Sequence, residues 1–109
     1  MLCVTYAGKR IVLTGDLEKE GLVQLLKSEQ LHADILLSPH HGSLAANPKD
    51  LARWATPGWL IVSCRDDSIR ERLTSQFGSE TQVLTTARFG AVQCEINPVG
   101  DIEVVPFKK

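Results

Sequence analysis

Residues 10–16 read RIVLTGD, and residues 33–43 read ADILLSPHHGS. Each is a short apolar run that ends abruptly in a turn rich in glycine and polar side chains. Between them the period changes: Leu22, Leu25, Leu26 and Glu29 recur at helical spacing, and Asp16 is available as an N-cap. This predicts a helix over residues 17–29, with Glu18 and Glu20 at the positive end of its dipole. A strand, a helix and a continuously apolar second strand make a crossover unit, and such a unit builds a parallel sheet.

Working outward, residues 2–7 and 10–14 are apolar and β-branched around Gly8-Lys9, which predicts a hairpin. After the HHGS stretch, Asn47 is placed to cap a helix with Pro48 at its first position, and Pro57-Gly58 stops it. Residues 59–64, WLIVSC, predict a second buried strand. Asp66 or Asp67 caps a helix through Phe77, with Ile69, Leu73 and Phe77 on one stripe. Strands follow over residues 82–86, 91–96 and 102–107, with turns at Arg88 to Gly90 and Asn97 to Gly100. The order predicts an α/β fold with a mixed sheet and antiparallel hairpins at both ends.

The chain has 109 residues, the size of one domain. Hydrophobic residues are 43% and charged residues 23%, which excludes collagen, coiled coil and wholesale disorder. Twelve Lys and Arg face 13 Asp and Glu, for a net charge of -1. No global positive field attracts a polyanion, so one would have to be met by a local site. No apolar run approaches the ~20 residues that span a bilayer, and MLCVTYAGKR lacks the pattern of a signal peptide. Cys3, Cys64 and Cys94 are odd in number and form no C-x-x-C pair. Buried thiols in a reducing compartment are expected, and with them a soluble module without an anchor of its own.

Two loops can carry chemistry, both at strand ends that a parallel arrangement brings to one edge of the sheet. In the first, Asp16 follows a strand and a glycine; it is a hard oxygen donor for a metal or simply a helix cap. In the second, His40 and His41 project differently from a loop, so that one can ligate a metal while the other binds substrate or donates a proton. Gly42 lets the backbone approach an anion, and the Ser43 hydroxyl and N–H can bind a phosphate oxygen. The alternative is a polar turn with solvated histidines. His32, the remaining histidine, is explained by the end of the first helix.

The strings RIVLTGDLEKEG and ADILLSPHHGSLAAN closely resemble the metallo-β-lactamase-fold domain at the C-terminus of ComEC-type competence proteins. WLIVSC resembles that family's Ile-Val-Ser strand, and VLTTARFGAV resembles its terminal segment. The likeness runs over nearly the whole chain. It implies the C-terminal half of an αββα sandwich, a mixed sheet with helices on one face. It further implies that Asp16, His40 and His41 are catalytic and metal-binding residues and that Gly42 and Ser43 contact substrate. The implied cofactor is a divalent metal, zinc or manganese, and the implied reaction is hydrolysis of DNA phosphodiester bonds during uptake by a bacterial inner-membrane protein. Three departures stand out. The H-x-H-x-D-H ligands of the N-terminal half are absent. Cys64-Arg65-Asp66-Asp67-Ser68 replaces the usual Gly-His-Pro after WLIVSC, and Ala87 or Arg88 stands where an aspartate is common.

Half of a sandwich leaves one sheet face without its partner. The expectation is that Leu13, Leu36 and Ile61 are exposed unless the upstream half or a second copy covers them. A homodimer burying roughly 800 Å² per subunit, and an isolated chain without activity, follow. The alternative function is a non-catalytic, degenerate module that binds DNA or a partner.

Overall fold

In the computed structural model, which describes residues 1–15 and 19–108, five strands form one mixed sheet in the order β1-β2-β3-β4-β5. Strands β1 (Leu2–Tyr6) and β2 (Lys9–Leu13) are an antiparallel hairpin. Its turn places Ala7 and Gly8 at positive φ, the twist that suits a two-residue connection. Strands β3 (Ile35–Leu37), β4 (Trp59–Val62) and β5 (Gln82–Thr85) then add in parallel, one step at a time.

The connecting helices are α1 (Lys19–Lys27), α2 (Lys49–Ala55) and α3 (Ile69–Phe77). Successive right-handed crossovers in one direction put all three on the same face of the sheet. Accordingly α2 packs against both α1 and α3. Register explains the core. Val12, Leu36, Leu60 and Val83 are cross-strand neighbours in one row, and all four are buried. They meet Leu22, Leu51, Trp54, Leu73 and Phe77 in a single cluster. Burial on this scale, at about 25 cal/mol per Å² of apolar surface, drives the fold.

Leu36 therefore does not sit on an uncovered face, because a one-residue step along a strand reverses the side chain. Leu13, Leu37 and Ile61 are the row on the opposite side. A separate antiparallel hairpin, β6 (Val92–Ile96) with β7 (Ile102–Pro106), follows the five-stranded sheet. It leaves the carboxyl end of β5 through a short helix, α4 (Thr86–Phe89). Its tip reaches the β1–β2 turn, where a Cβ added to Gly100 would lie 2.8 Å from the Ala7 carbonyl oxygen. Alternate residues of the hairpin are half-buried, Val92, Cys94 and Ile96 on one strand and Ile102, Val104 and Pro106 on the other. Ile35, on the side away from the helices, is buried. One corner stays uncovered: Leu2 is 58% exposed, Val4 42% and Leu13 38%.

Several boundaries differ from expectation. The first helix ends at Lys27, short of Glu29, and its expected start at 17 lies outside the described residues. Strand β3 is three residues long, because the Ala33 N–H turns to the Ala55 carbonyl. Arg88 lies within α4, whose first turn is capped when Thr85 Oγ1 accepts from the Arg88 N–H. Cys3 is exposed on the edge strand, while Cys64 and Cys94 are half-buried. Burial pushes the Cys94 thiol pKa up. Among the described residues no helix is long and apolar enough to cross a membrane.

Candidate functional site at the carboxyl edge

Strands β2, β3, β4 and β5 end along one edge, and hydrogen bonds tie the loops that leave them into a chain. Thr14 Oγ1 donates to the Leu37 carbonyl at 2.6 Å. The His40 N–H donates to the Gly15 carbonyl at 3.1 Å, which joins the TGD turn to the HHGS loop. Ser38 N–H donates to the Ile61 carbonyl at 2.9 Å, and His41 Nδ1 meets the Ser63 carbonyl at 3.0 Å. The Cys64 N–H donates to Thr86 Oγ1 at 3.1 Å. Thr85 Oγ1 donates to the Asp67 carboxylate, which also lies 3.6 Å from Arg70 Nε.

The HHGS loop has an unusual backbone. His40 (φ 48°, ψ 51°) and His41 (φ 51°, ψ 32°) are both left-handed, and Gly42 follows at φ 85°. A left-handed conformation costs about 1–2 kcal/mol for each non-glycine residue. Strain of this kind persists only where the surroundings over-determine it. Two features do so here. Gly42 is seated on the core, where an added Cβ would come within 2.7 Å of Val62 Cγ1. Asn47, fully buried, brackets the loop from inside: its Nδ2 donates to the carbonyls of Pro39 (3.0 Å) and Ser43 (2.7 Å), and its Oδ1 accepts from Ser38 Oγ (2.7 Å).

Asn47 is thus not a helix cap. Helix α2 begins after Pro48 with no side-chain cap, and the asparagine turns back to the preceding loop. Sequence reasoning missed this role, because Asn before Pro carries the same signal in both settings. Neither Asp66 nor Asp67 is the N-cap of α3. That residue is Ser68, whose N–H donates to Asp66 Oδ1 at 2.9 Å. The bond from Ser68 holds the Asp66 carboxyl below its usual pKa.

The two imidazoles are 6.5 Å apart between centroids and inclined at 74°, so they project differently, with His41 exposed and His40 partly so. A carbonyl can only accept, so His41 Nδ1 carries a proton and a neutral ring has its lone pair on Nε2. Metal-ligating histidines are commonly oriented by such a bond to a backbone carbonyl. Imidazole and carboxylate donors suit zinc or manganese. Asp16 lies outside the described residues. Among the described residues, no three His, Cys, Asp or Glu side chains gather to hold a metal.

His41, Gly42 and Ser43 line an open cleft of about 670 Å³ together with Ser63, Cys64 and Arg65. His32 belongs elsewhere. It lies beyond the end of α1, with Nδ1 2.8 Å from Thr56 Oγ1 and Nε2 3.2 Å from Asp34 Oδ1. It lines a second cavity, of about 540 Å³, at the opposite edge of the sheet. The structure thus brings His40, His41, Gly42 and Ser43 to one edge and places beside them Asn47, expected only as a helix cap, and Arg65, to which the sequence assigns no site role. No family model matches the chain, nor does any curated protein or solved structure.

Removing the Asn47 amide leaves two carbonyls without their donors. Asn47→Ala should lower stability by about 2–4 kcal/mol in urea unfolding. A loss below about 0.5 kcal/mol would show that the bracket does not hold the loop.

Proposed function

We propose that this chain forms the C-terminal half of a metallo-β-lactamase-like domain of the ComEC type, acting in DNA uptake. In the complete domain it hydrolyses DNA phosphodiester bonds; alone it does not. The observation that carries this reading is the bond from the His40 N–H to the Gly15 carbonyl. It joins directly the two strings, RIVLTGD and ADILLSPHHGS, on which the family resemblance rests.

On this reading Asp16 and one of His40 and His41 hold a divalent metal, zinc or manganese, with further donors from the upstream half. When bound, the metal supplies Lewis-acid charge neutralisation at the phosphate. The other histidine binds substrate or moves a proton. Gly42 admits the anion close to the backbone, and Ser43 offers its hydroxyl. The strained loop keeps these groups in place before substrate arrives, which lowers the reorganisation that the reaction needs.

The test is cleavage of a labelled DNA duplex by the full-length protein with manganese or zinc. Asp16→Ala and His41→Ala should each reduce cleavage by at least about 100-fold. Cleavage that survives both substitutions contradicts the assignment. The second reading is a non-catalytic DNA-binding module. It is favoured by the β4–α3 loop, where both aspartates are bonded within the protein and Arg65 replaces a ligand-bearing sequence. A full-length protein that binds DNA without cutting it under any metal establishes that reading.

The corner at Leu2, Val4 and Leu13 is the face for the upstream half, and a second copy takes its place when the chain is alone. Sedimentation velocity should show a concentration-dependent dimer that Leu2→Glu abolishes. A monomer at every concentration contradicts the pairing.

A further inference from the structure

The chain has no net positive charge, so any polyanion must meet a local concentration of donors. The cleft beside His41 supplies one. Arg65 stands on its rim, on the loop between β4 and α3, and its side chain is exposed. Arg53 is paired with Asp50, Arg70 faces Asp67, and Arg88 lies over the Phe89 ring. Arg65 has neither a hydrogen bond nor an ion pair among the described residues. The nearest carboxylates in sequence are occupied: Asp66 accepts from the Ser68 N–H, and Asp67 accepts from Thr85 Oγ1. Asp66 also lines the cleft, so its negative charge opposes an anion there and leaves the attraction to Arg65.

Two hydroxyls complete the set. Ser43 and Ser63 line the same cleft from the loops after β3 and β4. Among the described residues neither hydroxyl has a hydrogen-bond partner, although the Ser43 N–H and the Ser63 carbonyl are both engaged. The bond between His41 Nδ1 and Ser63 holds the two loops together. A guanidinium with two hydroxyls matches the tetrahedral oxygens of a phosphate, and arginine binds them as a fork. No Phe, Tyr or Trp lines the cleft, and the one aromatic ring there is the His41 imidazole, bonded to the Ser63 carbonyl.

We propose that this cleft is a phosphate subsite for a nucleic-acid backbone, in which Arg65, Ser43 and Ser63 hold non-bridging oxygens without reading the bases. The inference rests on the function proposed above for the same edge. It adds the residue that anchors the strand and predicts indifference to sequence.

The experiment uses the 109-residue chain with a chelator present and no divalent ion, so that binding is read apart from cleavage. Fluorescence anisotropy follows labelled oligothymidylate and oligodeoxyadenylate of about eight nucleotides across a salt series, within the usual footprint of a strand-binding site. The two should bind alike. Arg65→Ala should weaken both about tenfold and reduce the salt slope by about 0.7, the value for one single-strand phosphate contact. Arg65→Lys should keep the slope while losing part of the affinity, because the charge remains and the fork does not. Equal melting temperatures of the three proteins establish that folding is unchanged. Unaltered affinity and slope in Arg65→Ala, or no binding by the wild-type chain, overturn the proposal. So does a chain that binds inorganic phosphate but neither oligonucleotide. A full-length protein that fails to cleave DNA while this subsite binds as described removes the hydrolytic reading and leaves the subsite standing.

Discussion

Gly42 rests directly on the core. A single added carbon there would meet Val62 Cγ1 at 2.7 Å and Leu73 Cδ1 at 3.4 Å. Val62 is the last residue of β4, and Leu73 belongs to α3. The HHGS loop, the sheet and the third helix are therefore one packed unit. Interiors at crystal-like density transmit strain instead of absorbing it, so the loop cannot relax without disturbing the core. That constraint lets two consecutive histidines remain left-handed. Asn47 completes the arrangement from the inner side, using both amide hydrogens and its oxygen on residues 38–43.

The same edge collects the other loops for a topological reason. In a sheet built by successive parallel crossovers, every β-to-α connection leaves from one side. Each loop here is bonded to its neighbour by a main-chain group or a short side chain. The polar groups so arranged share one edge of the sheet. The opposite edge holds a different assembly, with His32 between Thr56 and Asp34, and the sheet keeps it apart from His40 and His41.

Much of this was legible in the sequence. Continuous apolar runs at 10–14, 33–38 and 59–64 located the strands, because strands covered on both faces carry no alternation. Leu22, Leu25 and Leu26 marked the first helix by their period. The same lack of alternation hid which side each residue faces. Leu36 was expected in the open and lies under the helices, since the face depends on register and register depends on partners. Asn47, and one or other of Asp66 and Asp67, read as caps in the sequence, because a cap and a loop bracket draw on the same residue types. That Arg65 lines the same cleft as the HHGS loop depends on two loops meeting in space, and no local pattern encodes it.

The claim on which the rest stands is that the carboxyl-edge loops are fixed before any ligand binds. Native-state amide hydrogen exchange on the isolated chain measures this directly. The N–H groups of His40, Ser43 and Cys64 each have a named acceptor, in Gly15, His40 and Thr86. They should be protected by at least about 100-fold and should exchange together with Leu36 and Leu60 in the core strands. Exchange of these three amides at unprotected rates, while the core strands stay protected, would contradict a pre-formed site.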